Sequence, residues 1–154
     1  MSMKTLCMIT LMVMLSLPAW GQRLVIGERS PELKTNSWVT AAPSYNDRNV
    51  MVEFYHSSNK NSAERLAMLR SLAESSQKDL VVVVVTNESD PAVRNQLTDG
   101  NPMYHVVYDK DGDLFRSFCA RYVPYAVIYD RHRRVLWVGN PSSLTDHDIV
   151  RIIK

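Results

Sequence analysis

The stretch that decides the fold is "VMVEFYHSSNKNSAERLAMLRSL", Val50–Leu72. Its first residues alternate in the manner of a buried strand and end at Tyr55. Seven polar residues follow, at positions 56–62, and the apolar residues then recur at helical spacing. The leucines of that pattern are Leu66, Leu69 and Leu72. The stretch therefore predicts a strand, a polar loop and a helix, an arrangement that often carries an active site.

The start of this helix falls at the end of the polar loop. Asn61 or Ser62 is expected to cap it, because their side-chain oxygens can accept hydrogen bonds from the free amides of the first turn.

The rest of the chain predicts an α/β fold. Five successive valines in Asp79–Val85 are typical of a strand buried on both faces. Further strands are predicted at Met103–Asp109, Pro124–Asp130 and Val135–Gly139, and further helices after Asp90, at Leu114–Tyr122 and after Thr145. The order β-α-β-α-β-α-β-β-α predicts a central mixed sheet with helices on both faces and a C-terminal hairpin followed by a helix.

The first residues have the pattern of a secretory signal peptide. A positive charge in Met1–Lys4 precedes the apolar run Leu6–Leu17, and Ala19 and Gly21 fit a small-x-small cleavage site. We therefore expect a signal peptide at 1–21 and one domain at 22–154, exported and without stable membrane insertion after cleavage. The alternative is an uncleaved membrane anchor. The compartment is the periplasm if the source is a Gram-negative bacterium.

Composition narrows the chemistry. A formal net charge of +2 gives no indication of nucleic-acid binding, and the basic cluster Asp130–Val135 is expected to be a solvated turn. Once Cys7 has left with the signal peptide, Cys119 is the one cysteine in the sequence. An internal disulfide and a cysteine-based zinc site are then impossible. We expect neither a metal nor a cofactor.

With these residues, the element order resembles the thioredoxin fold, and more narrowly the periplasmic TlpA-like thiol-disulfide reductases. The resemblance covers nearly all of 22–154. It is carried by Trp38 in an N-terminal extension, the strand "VMVEFY", the segment "RYVPYAVIYD" and the hairpin "VLWVGNP". It implies that Pro124 is the family's cis-proline, facing the active-site loop, and that the backbone of Val123 is free to pair with an extended peptide.

The departure from that family lies at the redox site. Counted from Phe54, the two positions of the family's Cys-x-x-Cys motif fall on Asn59 and Ser62. Disulfide exchange needs one thiolate to attack and a second thiol to resolve the mixed disulfide, which an amide and a hydroxyl cannot supply. Glu53 matches the family's buried acid, and without a thiol we expect it to be bonded to a neighbour or to reach water.

These observations predict a redox-inactive, non-catalytic module that binds an exported protein or peptide. The expected groove lies between the 56–62 loop and Pro124. Its expected binding residues are Tyr55, His56, Lys60, Val123 and Pro124.

The alternative is a thiol-disulfide oxidoreductase, or an accessory redox protein of the cell envelope, that acts through Cys119 or a partner. Free cysteines are more often buried small hydrophobes than reactive thiols. His56 beside Ser57 and Ser58 also suggests a serine nucleophile, but neighbours on one loop rarely supply the base and the orienting group that such a nucleophile needs.

Overall fold

The computed structural model describes residues 22–154. The predicted signal peptide, 1–21, lies outside the described residues and stays a prediction. The strands are β1 (Asn49–Phe54), β2 (Leu80–Thr86), β3 (His105–Tyr108), β4 (Tyr125–Tyr129) and β5 (Val135–Gly139). The helices are α1 (Ser62–Ser75), α2 (Pro91–Thr98), α3 (Asp113–Ser117) and α4 (Asp146–Ile152), with a 3₁₀ turn at Pro141–Ser143. This is the predicted element order, and the α/β prediction is confirmed.

The five strands form one mixed sheet in the order β3-β2-β1-β4-β5. β1 is parallel to β2, and β2 is parallel to β3. β4 runs antiparallel to both β1 and β5. β1 is therefore the central strand. Its C-terminal end lies at the middle of one end of the sheet, and the polar loop begins there.

Side chains of β1 alternate between two cores, one on each face of the sheet. Met51 packs in the core under α1, α2 and α4, which also holds Leu69. Val52 and Phe54 point the other way, into a core closed by α3 and the N-terminal segment. The central valines of β2 are buried on both faces, as predicted. Helices thus cover both faces, and the site at the end of β1 rests on a rigid sheet.

The N-terminal segment covers parts of both sheet edges. Trp38 of this segment forms a single antiparallel bridge to Val107 on β3. On the opposite edge, the Gly27 amide donates to the carbonyl of Val135 at 2.8 Å. These contacts leave less exposed strand edge for unwanted pairing with other chains.

Two predicted helix starts are confirmed. Asp90 accepts a hydrogen bond from the amide of Ala92 at the start of α2, at 2.9 Å. Thr145 and Asp148 form a reciprocal capping box at the start of α4.

The helix predicted over Leu114–Tyr122 is shorter in the structure, where α3 ends at Ser117. The Cys119 amide donates to Arg116 at 3.1 Å and the Ala120 amide donates to Phe115 at 2.8 Å. With Cys119 at φ 57°, these bonds form a Schellman ending. Cys119 therefore lies beyond the helix and not within it, because the left-handed residue turns the chain away.

The structure offers one finding on membranes: within residues 22–154, every helix is too short or too polar to cross a bilayer.

Candidate functional site: a cleft at the start of helix α1

A cleft of about 270 Å³ opens where β1 ends and α1 begins. The residues predicted from the sequence that line it are Tyr55, His56, Asn59, Lys60, Ser62 and Pro124. Met68 of α1 and Ser142 of the 3₁₀ turn complete its walls. The fold therefore joins the polar loop to Pro124, although more than sixty positions separate them in the chain.

Val123 stands beside this cleft and does not line it. Its side chain packs against the core on the α3 face. The Val123–Pro124 peptide bond is cis. Neither the amide nor the carbonyl of Val123 makes a hydrogen bond with another residue of the described chain. A strand-like ligand can pair with such a free backbone unit.

Cys119 lies apart from the cleft. It is half-buried and lines two other pockets together with Arg121 and Gln22, on the α3 side of the molecule. The structure therefore does not bring this thiol to the residues of the 56–62 loop that line the cleft.

The prediction that a side chain caps α1 is wrong. Asn61 occupies the cap position, but its side chain bonds to no residue in the described part of the chain. Its φ of −110° and ψ of 26° differ from the extended backbone that lets a cap side chain reach back to the first turn. The Ser62 hydroxyl instead donates to the carbonyl of Ser57 at 3.1 Å. The first turn of α1 thus lacks a side-chain cap from residues 22–154.

The carboxylate of Glu88 holds the loop to the end of β2. It accepts from the Ser57 amide at 2.9 Å and also from the Ser57 hydroxyl. The Thr86 hydroxyl donates to the same carboxylate at 3.3 Å. Hydrogen bonds to an ionised acceptor are stronger than neutral ones, so Glu88 fixes the path of the loop.

His56 and its neighbours do not form a nucleophilic relay. The Ser58 hydroxyl lies 2.8 Å from Nδ1 of His56, and a carboxylate oxygen of Glu88 lies 3.5 Å from that same nitrogen. In a serine hydrolase, the nucleophile and the orienting acid contact opposite nitrogens of the ring. The arrangement is that of a turn held by polar bonds, and it lends no support to hydrolase chemistry.

Beneath the cleft, Glu53 and Arg65 form a buried ion pair. Both carboxylate oxygens of Glu53 accept from the guanidinium of Arg65, each at 2.6 Å. Glu53 is fully buried and Arg65 is 9% exposed. Burial raises the pKa of Glu53, and the hydrogen bonds and charge of Arg65 oppose that rise. Glu53 is thus bonded to a neighbour, one of the two outcomes expected for it.

Arg65 also ties the cleft wall together. Its guanidinium donates to the carbonyl of Pro141 at 3.3 Å and contacts the sulfur of Met68. One side chain therefore links β1, α1 and the 3₁₀ turn.

Tyr55 is the one residue of the cleft with an unsatisfied buried atom. The residue is 3% exposed, and its hydroxyl oxygen lies beside the side chain of Ser62 but forms no hydrogen bond of ordinary geometry with the residues of 22–154. Burial raises the pKa of this phenol. A buried hydroxyl without a partner costs free energy, so its presence in a cleft wall needs an explanation.

Sequence reasoning missed Arg65 and Glu88 as parts of the site. A signal for Arg65 was present, because it shares the helical spacing of Leu69 and Leu72 on the buried face of α1. The signal for Glu88 was weak, since an acidic residue after a strand is usually solvated.

The comparisons with known proteins find likeness in structure alone. No protein-family model matches the chain, and no curated protein sequence matches it.

Three solved structures show the likeness. The thioredoxin domain of a thiol-disulfide oxidoreductase from Bacteroides vulgatus has a TM-score of 0.66 at 14% identity, over 85% of this chain and 99% of that one. The exposed lipoprotein thioredoxin of Streptococcus pneumoniae has a TM-score of 0.61 at 16% identity, over 71% and 85%. A secreted disulfide oxidoreductase of Mycobacterium tuberculosis has 0.59 at 13%, over 70% and 81%.

These TM-scores establish a similar architecture. Sequence identities this low carry no information about shared chemistry. Together with the mixed five-stranded sheet and the helices on both of its faces, they show that this chain has the thioredoxin-like fold.

Proposed function

We propose that this protein is an exported, redox-inactive thioredoxin-like domain that binds an extended segment of another exported protein or a peptide. The ligand lies in the cleft between the 56–62 loop and Pro124, and its backbone pairs with Val123. The TlpA-like reductases are the family from which such a domain would derive, with Asn59 and Ser62 at the positions of the lost cysteines.

The observation that carries the proposal is the unpaired backbone of Val123 beside an open cleft. Buried or half-buried backbone groups in folded proteins are nearly always hydrogen-bonded, so an unpaired amide and carbonyl at a cleft favour an external partner. Strand-like ligands use this type of pairing, with affinity from the main chain and selectivity from side-chain pockets. Tyr55, His56 and Lys60 would form such a pocket.

The absence of sulfur argues against catalysis at the cleft. The sequence has no cysteine between Cys7 and Cys119, and Cys119 lies on the α3 side of the molecule. Thiol-disulfide exchange at this cleft would need a thiolate there. The similarity to solved oxidoreductases therefore supports the fold of the proposed binding domain, and it does not support a redox reaction at this cleft.

Export is part of the same proposal. The sequence pattern of residues 1–21 favours a cleaved signal peptide. Two of the similar structures are of an exposed lipoprotein and of a secreted enzyme. An exported location would limit the partners to proteins and peptides outside the cytoplasm.

The test is an NMR titration of ¹⁵N-labelled residues 22–154 with extended peptides of about ten residues. We expect the largest shifts at the amides of Val123 and of residues 56–62. Lys60→Ala should weaken binding, whereas Lys110→Ala serves as the matched control, because Lys110 is exposed in the turn after β3 and does not line the cleft. Shifts that cluster around Cys119, or equal effects of the two lysine variants, would contradict the proposal.

A second measurement addresses catalysis directly. The same protein should reduce insulin no faster than its Cys119→Ser variant. Turnover clearly above that variant would establish the alternative, a thiol-dependent oxidoreductase.

A further inference from the structure

We infer that the peptide ligand carries an aspartate or glutamate beside the residue that pairs with Val123, and that Arg121 binds this side chain in a second pocket. This inference deepens the proposed function and rests on it for the strand pairing. The ligand is then an acidic extended segment, and the pocket outside the cleft selects it.

The second pocket adjoins the free backbone of Val123. It is one of the two pockets that Cys119 lines, and its volume is about 430 Å³. Pro124 lines the cleft and Tyr122 lines the second pocket, so Val123 lies between the two along the chain. An extended ligand advances about 3.3 Å per residue. A ligand side chain one or two positions from the paired residue therefore reaches the second pocket.

The charged side chains that line the second pocket are both arginines, Arg23 and Arg121. Neither of them forms an ion pair with a residue of 22–154. Within that range, the guanidinium of Arg121 makes a single hydrogen bond, to the carbonyl of Gln22, and it is long at 3.3 Å. A guanidinium has five N–H donors, so most donors of Arg121 are available to a ligand.

The second pocket differs from the cleft in its balance of charge. In the cleft, Glu64 offsets the positive charge of Lys60. No aspartate or glutamate of residues 22–154 lines the second pocket. Removal of the proposed signal peptide would also leave the positively charged amino group of Gln22 at this pocket. The uncompensated positive charge therefore favours an acidic side chain on the ligand.

Tyr122 gives the second pocket an exposed aromatic wall. It is 52% exposed, and its ring meets the ring of Tyr125 edge-on, with 5.4 Å between the centroids. Tyr125 is buried, and its hydroxyl donates to the carbonyl of Phe118 at 2.9 Å, so the exposed ring rests on a fixed neighbour. Tyrosine and arginine are enriched among the residues that dominate binding energies. The planar guanidinium of Arg121 matches the geometry of a carboxylate better than that of a neutral amide.

The first experiment uses an uncharged peptide, acetylated and amidated, in which one glutamate or one glutamine is placed at successive positions. Fluorescence anisotropy measures the Kd of each peptide for residues 22–154. Beside the paired residue, glutamate should bind about twofold to fivefold more tightly than glutamine, the range of a solvent-exposed ion pair. A glutamine peptide with a free C-terminus is included. If it alone gains affinity, the carboxylate is a chain end and the side-chain assignment is overturned.

Arg121→Met should abolish the preference for glutamate and leave the affinity for the glutamine peptide unchanged. Arg134→Met is the matched control and should keep the preference, because Arg134 is exposed between β4 and β5 and lines neither pocket. A variant that only disturbed the fold would weaken both peptides alike. Equal affinities for glutamate and glutamine at every position, or an unchanged preference in Arg121→Met, would overturn the inference while the proposed function stands.

The second experiment does not depend on strand pairing. The α-amides of N-acetylglutamate and N-acetylglutamine are titrated into ¹⁵N-labelled residues 22–154. The glutamate compound alone should give saturable shifts at Nε of Arg121 and at the amide of Tyr122, with none at Nε of Arg134. Equal shifts with both compounds, or none at Arg121, would overturn the inference. If the glutamate compound binds as expected but no peptide does, the carboxylate site stands and the proposed peptide function fails.

Discussion

Replacing Arg65 by methionine should expose how much the buried ion pair contributes to stability. Methionine approximately preserves the length and apolar stem of arginine but removes the guanidinium. Glu53 would then keep a fully buried carboxylate with neither of its two 2.6 Å bonds. Loss of one partner of a buried pair typically costs about 3–5 kcal/mol, because the remaining charge has no compensation. We expect a loss of this size in the free energy of unfolding at pH 7.

The stability cost of Arg65→Met should decrease as the pH falls. Without Arg65, burial raises the pKa of Glu53 further above its value in the unfolded chain. The folded variant then binds a proton that the unfolded chain has released, so the variant becomes more stable relative to wild type as the pH falls. The slope of the difference is about 1.4 kcal/mol per pH unit between the folded-state pKa values of Glu53 in the wild type and in the variant, and the pH-dependent part of the penalty is gone below the first of these.

Urea denaturation followed by circular dichroism, at several pH values from 4 to 8, measures both effects. Arg70→Met is the control, because Arg70 lies on the same helix and its hydrogen bonds to Asp99 and Gln96 are solvent-exposed. It should cost about 1 kcal/mol without that pH dependence. The double variant Glu53→Met with Arg65→Met should recover most of the loss. A cost below about 1 kcal/mol for Arg65→Met at pH 7, or a cost that is flat with pH, would refute the reasoning.

Substitutions at three further positions test local features of the fold. Thr145→Ala should cost about 1 kcal/mol and should raise the pKa of Asp148, which hydrogen bonds from the Thr145 amide and hydroxyl hold below its ordinary value. The stability that ionised Asp148 contributes is lost as the pH falls through that lowered pKa. An NMR titration of the Asp148 carboxyl group measures the pKa. Residue 119 has a positive φ, which glycine adopts easily and valine does not. Cys119→Gly should therefore raise thermal stability slightly, and Cys119→Val should lower the free energy of unfolding by about 1–2 kcal/mol. Equal stabilities of the two variants would contradict this reasoning. Glu88→Gln should cost about 1–2 kcal/mol and speed hydrogen exchange at the Ser57 amide, and unchanged protection there would count against the anchoring role of Glu88.

Local patterns predicted the framework well. The valines of β2 are buried on both faces, as their unbroken run indicates. Asp90 and Thr145 cap the helices that follow them, because each cap depends on residues no more than three positions away. Predictions failed where backbone angles matter: Asn61 does not cap α1, and Cys119 ends α3 in a left-handed conformation that residue type alone does not favour.

The candidate site was partly predictable. The 56–62 loop and Pro124 were predicted to be its two sides, because the resemblance to the thioredoxin fold implies that a cis-proline faces the active-site loop. The depth of the cleft depends on Met68 and Ser142, which carry no sequence signal for it. The free hydroxyl of Tyr55 was not foreseeable, because hydrogen-bond satisfaction depends on every neighbour in space.

The sequence by itself determined the element order, the exclusion of an internal disulfide in residues 22–154, and the absence of a thiol at the start of α1, because these depend on residue identity and local periodicity. The tertiary structure decided which residues share the cleft, that Glu53 is paired with Arg65, and that Cys119 does not line the cleft. Those facts depend on how strands distant in the chain become neighbours in one sheet. Contacts of that kind are set by packing and burial across the whole fold, and a local pattern cannot specify them.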